Sequence, residues 1–285
     1  MSNQSLLLVF GASLSFVVFG CGPSTPSNET CNPSPNAHTE SCWIYDQEFI
    51  TVRTAANLEK ICNSSCSKIS DLAVIGVDGA EDLGFLAGLE RIKYLSINNN
   101  QSLSSLDGLD EVGSIGSVKI GGNPNLSDVS ALGSVGELTI SLTFRENSGL
   151  KDLAGLEDLE TLGTEAGTNS SVLDIEGNDS LENLDGLSGL KTIANGETYI
   201  IRNPQLRRIG GLQDITEFPD GLTVTNNAKL EDITSLYGTE TVGKSLRIQK
   251  NPKLPNCQAQ RIADNAMVEN STRIGDNGSG ECMEQ

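Results

Sequence analysis

The sequence predicts a mainly β protein coiled as a parallel β-solenoid, and two observations carry that expectation: a repeat of about 24 residues and a dominance of small and aliphatic residues over aromatic ones. Anchored on asparagine, the repeat places Asn100, Asn123, Asn147, Asn178, Asn203, Asn227 and Asn251 at intervals of 23, 24, 31, 25, 24 and 24 residues. Leucine follows three positions after each, as Leu103, Leu126, Leu150, Leu181, Leu206, Leu230 and Leu254. Three positions before each stands Ile97, Ile120, Phe144, Ile175, Ile200, Val224 or Ile248. Such a period builds stacked coils whose core grows by addition, so 285 residues form one elongated unit. Aromatic residues at 4% and 30 glycines suit thin coils packed by aliphatic side chains.

At the N-terminus, residues 6–20 form the one long apolar run, of the length and position of a secretory signal and short for a membrane span. It ends in Val18-Phe19-Gly20-Cys21, which resembles a bacterial lipobox and implies acylation of Cys21 as the mature N-terminus. Residues 1–20 are therefore expected to be a signal peptide, and residues 21–41, rich in Pro, Ser, Asn and Thr, a flexible tether. The single histidine, His38, lies in that tether.

Seven cysteines are an odd number for an exported chain, and setting Cys21 aside leaves six. These are Cys31, Cys42, Cys62, Cys66, Cys257 and Cys282, and none falls between Cys66 and Cys257. Three disulfides at the two ends would staple the terminal coils, whose outer faces have no neighbour. Cys257 and Cys282 are expected to pair; the pairing of the other four stays open.

Residues 42–282 are expected to hold the solenoid. A short helix over residues 55–61, capped by Thr54, opens it. The first coil is atypical, with Ile75, Val77, Leu83, Leu86, Leu89 and Ile92 at apolar positions and Ala80 where asparagine stands later. In each full coil, two apolar residues two apart indicate a strand, and a series three apart indicates tight 3₁₀-like turns. Asparagine suits the corner because it tolerates left-handed backbone and its amide can pair with buried backbone groups. Asn123-Pro124, Asn203-Pro204 and Asn251-Pro252 reinforce that corner. The long interval from Asn147 to Asn178 carries an insertion over residues 163–171, expected to emerge as a loop. An amphipathic helix over residues 258–268 closes the array.

The coils from Tyr94 onward, YLSINNNQSLSSLDGLDEVGSIGSVKIGGNPNLSDVSAL, and the opening CSKISDLAVIG resemble the receptor L-domain family. The N-P-x-L and L-x-G-L pieces with terminal cysteines are similar to bacterial cell-surface lipoproteins carrying these repeats. The resemblance spans about residues 42–282 and implies a right-handed solenoid that serves as a binding scaffold. It carries over no ligand.

If residues five and three before each asparagine point inward, those four and two before it point out. In the middle coils this exposes Arg145, Asp174, Glu176, Tyr199 and Ile201, a mixture of charge, aromatic and aliphatic groups suited to recognition of a protein or glycan. Asp174 and Glu176 lie roughly 6–7 Å apart along one strand face, compatible with carboxylate-pair glycosidase chemistry. No pocket or aromatic platform accompanies them, and the solenoid contains no histidine for a hydrolase triad. No cofactor or metal motif is present, and a net charge of −19 opposes nucleic acid as a partner. The expectation is an exported, lipid-anchored, non-enzymatic surface protein of the outer membrane or cell surface, or a secreted one. A purely structural envelope role is the competing reading.

Overall fold

A computed structural model describes residues 43–44, 50–53, 68–77, 79–165 and 171–282. The expected signal peptide, Cys21, the tether with His38, the helix over residues 55–61, and Cys31, Cys42, Cys62 and Cys66 lie outside the described residues, as do positions 166–170 of the insertion.

The chain forms a parallel β-solenoid. Its strands are β1 (Trp43–Ile44), β2 (Ile50–Val52), β3 (Lys68–Ile75), β4 (Arg91–Asn98), β5 (Ser114–Gly121), β6 (Glu137–Arg145), β7 (Thr161–Leu162) and β8 (Ser171–Glu176). They continue with β9 (Thr192–Ile193), β10 (Glu197–Ile201), β11 (Glu217–Phe218), β12 (Leu222–Thr225), β13 (Thr241–Val242), β14 (Ser245–Gln249), β15 (Met267–Val268) and β16 (Ser271–Gly275). Thirteen of them make one sheet, along which β3, β4, β5, β6, β8, β10, β12, β14 and β16 pair in succession; β11, β13 and β15 make a smaller one. Every pairing is parallel, as a chain returning once per coil requires.

Register explains the repeat. One inward column runs Leu72, Leu95, Val118, Leu142, Leu173, Thr198, Leu222 and Leu246, and another runs Val74, Ile97, Ile120, Phe144, Ile175, Ile200, Val224 and Ile248. All of these are buried. At about 1.5–3 kcal/mol per fully buried aliphatic side chain, these columns stabilise the fold together with the buried leucines of the opposite side. After each corner the leucines three apart lie on the 3₁₀ side, where Leu83, Leu106, Leu184 and Leu236 are fully enclosed and short 3₁₀ turns such as Asp185–Leu187 and Gly210–Leu212 form, as expected.

Four sequence expectations need correction. In the first coil, Ile75 pairs with Asn98, so Val77 rather than Ala80 stands at the asparagine position, and Leu72 and Val74 rather than Ile75 and Val77 fill the strand core. The corner residue with left-handed backbone is not the repeat asparagine but its predecessor: Asn99, Gly122, Glu146, Gly177, Arg202, Asn226 and Lys250 all have φ between 55° and 67°. The asparagine itself faces inward, because only there can its amide reach neighbouring coils. The C-terminal helix, α1 (Asn256–Asn265), is shorter than expected: Ala266 is extended, and Met267–Val268 joins the small sheet beside β13. Finally, the ladder has an eighth asparagine, Asn277, unmarked in sequence because Gly280 replaces the leucine three residues on.

β6 branches at the insertion. Residues 137–138 pair with β7, whereas residues 142–145 pair with β8, and residues 163–170 lie between those two partners. At the C-terminus, Cys257 and Cys282 form the expected disulfide, their Cα atoms 6.0 Å apart.

Candidate functional site: the outward sheet face

The outward face is built from the same register that fills the core. One column runs Ala73, Ser96, Lys119, Thr143, Asp174, Tyr199, Thr223, Arg247 and Arg273. Beside it run Ile75, Asn98, Gly121, Arg145, Glu176, Ile201, Thr225, Gln249 and Gly275. The alternation deduced from the asparagines therefore places these residues on one face.

Alternation alone does not decide exposure. Asp174 points outward but is only 1% exposed, against the expectation, because Arg145 from the preceding coil lies over it. The Arg145 Nε donates to Asp174 Oδ2 at 3.0 Å, and its Nη2 contacts the same oxygen. Arg145 also reaches Glu176 at 3.4 Å, and Arg202 from the next corner pairs with Glu176 from the other side. The hydrogen bond to Asp174 raises the Arg145 pKa above its ordinary value. Asp174 Oδ1 is buried and lacks a hydrogen-bond partner among the described residues. Tyr199 and Ile201 are half-buried rather than fully exposed, and Thr225, also outward, is buried.

The five expected residues therefore come together, as a row of ion pairs, Arg145–Asp174, Arg145–Glu176 and Arg202–Glu176, beside a half-buried Tyr199 and Ile201. Arg202 was missed, because it belongs to the corner and not to a strand. Tyr94 was missed too: at 38% exposure it is the most open aromatic on the face among the described residues, with Lys93 Nζ 5.2 Å from its ring centre. It stands six residues before Asn100, and extending the alternation by one more pair would have found it. Around Tyr94 the outward Ser117 and Ser141 are buried and hydrogen-bond to each other at 2.7 Å.

On the opposite, 3₁₀ side the coils carry acidic residues that close turns. Asp128 Oδ1 accepts from the Ser130 amide at 2.8 Å, Asp152 from Ala154 at 3.1 Å and Asp232 from Thr234 at 2.8 Å. Asn183 does the same for Asp185. Arg208 interrupts this series, pairs with Asp185, and borders an open groove of about 400 Å³ with Gly210, Gln213, Asp232, Thr234 and Ser235. Among the described residues there is no cluster of three or more metal-ligating side chains, and no helix is long and apolar enough to cross a membrane.

Residues 113–211 match a family model described as the receptor L domain. No curated protein matches the chain. The matched segment runs from β5 to the 3₁₀ turn Gly210–Leu212 and contains Arg145, Asp174, Glu176, Tyr199, Ile201 and Arg202. The coils beyond it keep the same register through β16.

Proposed function

We propose that this chain is an exported recognition protein that binds a protein or glycan on the outward sheet face and performs no catalysis. The observation that carries the reading is the division of labour within each coil: the inward strand residues and the asparagine are enclosed, and a continuous row of varied side chains is left facing outward. Receptor L domains are ligand-binding domains of receptors, and the match covers the middle of this row. Export and acylation at Cys21 are supported by the apolar run of residues 6–20 and by the cysteine that ends it, with attachment to an outer membrane or cell surface as the consequence.

The carboxylate-pair alternative loses ground in the structure. A glycosidase needs two accessible carboxyl groups in distinct protonation states. Here one carboxylate is enclosed beneath Arg145, and the other is held between Arg145 and Arg202.

The test is capture of candidate proteins and glycans on an array by the full chain, followed by variants of the face. Tyr199→Ala should weaken capture of any saturable partner by roughly ten-fold, the scale of a truncated interface aromatic. Arg145→Ala alone would strand a buried carboxylate, so Arg145→Gln is combined with Asp174→Asn to remove both charges together. If both variants fold and bind the partner as tightly as the parent, the face is not the site.

A further inference from the structure

The outward face lacks the acidic excess of the rest of the molecule. The chain holds 38 acidic and 19 basic residues. On the two outward columns from Ala73 to Gly275, however, the basic residues are Lys119, Arg145, Arg247 and Arg273 and the acidic ones Asp174 and Glu176, while the neighbouring column through Tyr94 adds Asp71 and Glu197. Asp174 and Glu176 are already paired with Arg145 and Arg202. The corner row beside the face adds Glu146 and Asp276 against Arg202 and Lys250, which leaves the balance unchanged. At the chain's ratio of 38 acidic to 19 basic residues, the face would carry twice as many acidic residues as basic ones.

The positive charge is concentrated where it costs most. Arg247 and Arg273 are direct partners on adjacent strands, both exposed, and neither has an ion-pair partner among the described residues. Neighbouring strands are about 4.8 Å apart, and like charges directly opposite destabilise a sheet. The fold gains nothing from this pair, because both stems lie on the solvent side. Thr223 and Gln249 flank the pair with hydrogen-bonding groups.

We propose that this face binds an anionic polysaccharide, carboxylated or sulfated, laid across the strands, with Arg247 and Arg273 as its principal anion-binding pair. The proposal rests on the recognition reading above and names the ligand class for the same face. Paired guanidinium groups suit carboxylate and sulfate oxygens, which they engage through two parallel N–H bonds. The remaining surface selects a sugar chain over an acidic protein. A protein interface needs an apolar core of fully desolvated anchors, whereas here Lys119, Thr143, Arg145, Asp174 and Glu176 stand between Tyr199 and Ile201 on β10 and Tyr94 and Ile75 at the other end of the face. From Lys119 to Arg273 the register counts six strand steps, or about 29 Å of face. That is enough for an extended chain to meet several cations at once.

The experiment titrates the full chain with polygalacturonate, dextran sulfate, neutral dextran and polyglutamate at low and at physiological salt. The expected result is binding to polygalacturonate, dextran sulfate or both, weakening as salt rises, with no binding to neutral dextran. Arg247→Glu combined with Arg273→Glu should weaken it by roughly ten-fold or more, and the milder Arg247→Gln with Arg273→Gln should weaken it while raising the melting temperature slightly, as their mutual repulsion is relieved. Arg207→Ala, on the 3₁₀ side, should leave binding unchanged. Failure of both anionic polysaccharides to bind, equal binding of neutral dextran, tighter binding of polyglutamate, or indifference to the arginine pair in folded variants would each overturn the proposal. If the polysaccharides fail while Tyr199→Ala still abolishes capture of another partner, the recognition reading stands and only the ligand class falls.

Discussion

Each ladder asparagine uses one side chain to pair both a backbone donor and a backbone acceptor of the preceding coil. Asn178 Oδ1 accepts from the Asn147 amide at 3.1 Å and from Asn147 Nδ2 at 3.3 Å, and Asn178 Nδ2 donates to the Phe144 carbonyl at 3.0 Å. Its own amide donates to Asn203 Oδ1 at 3.0 Å, and the side chain is fully buried. Asn178→Ala should therefore cost about 2–5 kcal/mol, because it leaves a buried backbone donor and acceptor unpaired; equilibrium unfolding in urea measures it. The acidic turn residues predict a pH effect. Asp128 is held below the ordinary aspartate range by hydrogen bonds from the Ser130 side chain and backbone, and Asp220 by its bond to Lys244 and the Gly196 amide. A carboxyl group whose folded pKa is lowered stabilises the fold fully above its unfolded value and loses that contribution as pH falls through the folded one. Stability should thus decline in acid below about pH 4. Asp128→Asn should keep the turn, since Asn183 already fills the equivalent role, and should flatten that decline. A stability profile of the two proteins from pH 2 to 7 decides it.

At the scale of the element, the strand and corner were legible because one residue type in a fixed place has one job. Apolar residues at the two inward positions, with Thr198 the one polar exception, and asparagine after the corner define every coil from β4 to β14. What escaped was whatever depended on a neighbour. Val77 was misplaced because its coil has no asparagine to fix the frame. Asp174 was taken as open because its cover, Arg145, lies 29 residues away in sequence. The 3₁₀ turns hold a further constraint that is visible in the sequence only as a glycine. A Cβ on Gly211 would sit 1.8 Å from the Leu184 carbonyl oxygen, so the coils touch backbone to backbone there. Gly211→Ala should cost about 3 kcal/mol, the upper end for overpacking, and should loosen the turns Asp185–Leu187 and Gly210–Leu212 before the strands. Hydrogen exchange on amides of the two turns tests that order.

For the whole molecule, stability spreads along a line of coils, each supported by its neighbours. The disulfide from Cys257 to Cys282 closes a separation of 25 residues, which is worth about 3.5 kcal/mol in a chain-entropy account. In a compact globule its loss would lower the global melt. Here, Cys257→Ser with Cys282→Ser should instead fray α1, β15 and β16 while the middle coils keep their exchange protection, because few contacts pass beyond the adjacent coil. The outward face was legible to the extent that alternation is strict. The pairing of Arg247 with Arg273 was not, since the last coil lacks the leucine that marks the repeat.

The asparagine ladder counts coils, not residues. Intervals of 23 and of 31 residues both return to the ladder, because only the corner and strand must come back into register and the extra residues fall in sequence between β7 and β8. The chain is thus modular like a ruler whose divisions are added or removed whole. Excising residues 204–227 would join Asn203 directly to the segment after Asn227 and close the stack with one division fewer. Such a shortened chain should fold, and it would bring Arg247 about 4.8 Å nearer to Arg145, so the spacing at which the face meets charges on a ligand is set by how many coils lie between them.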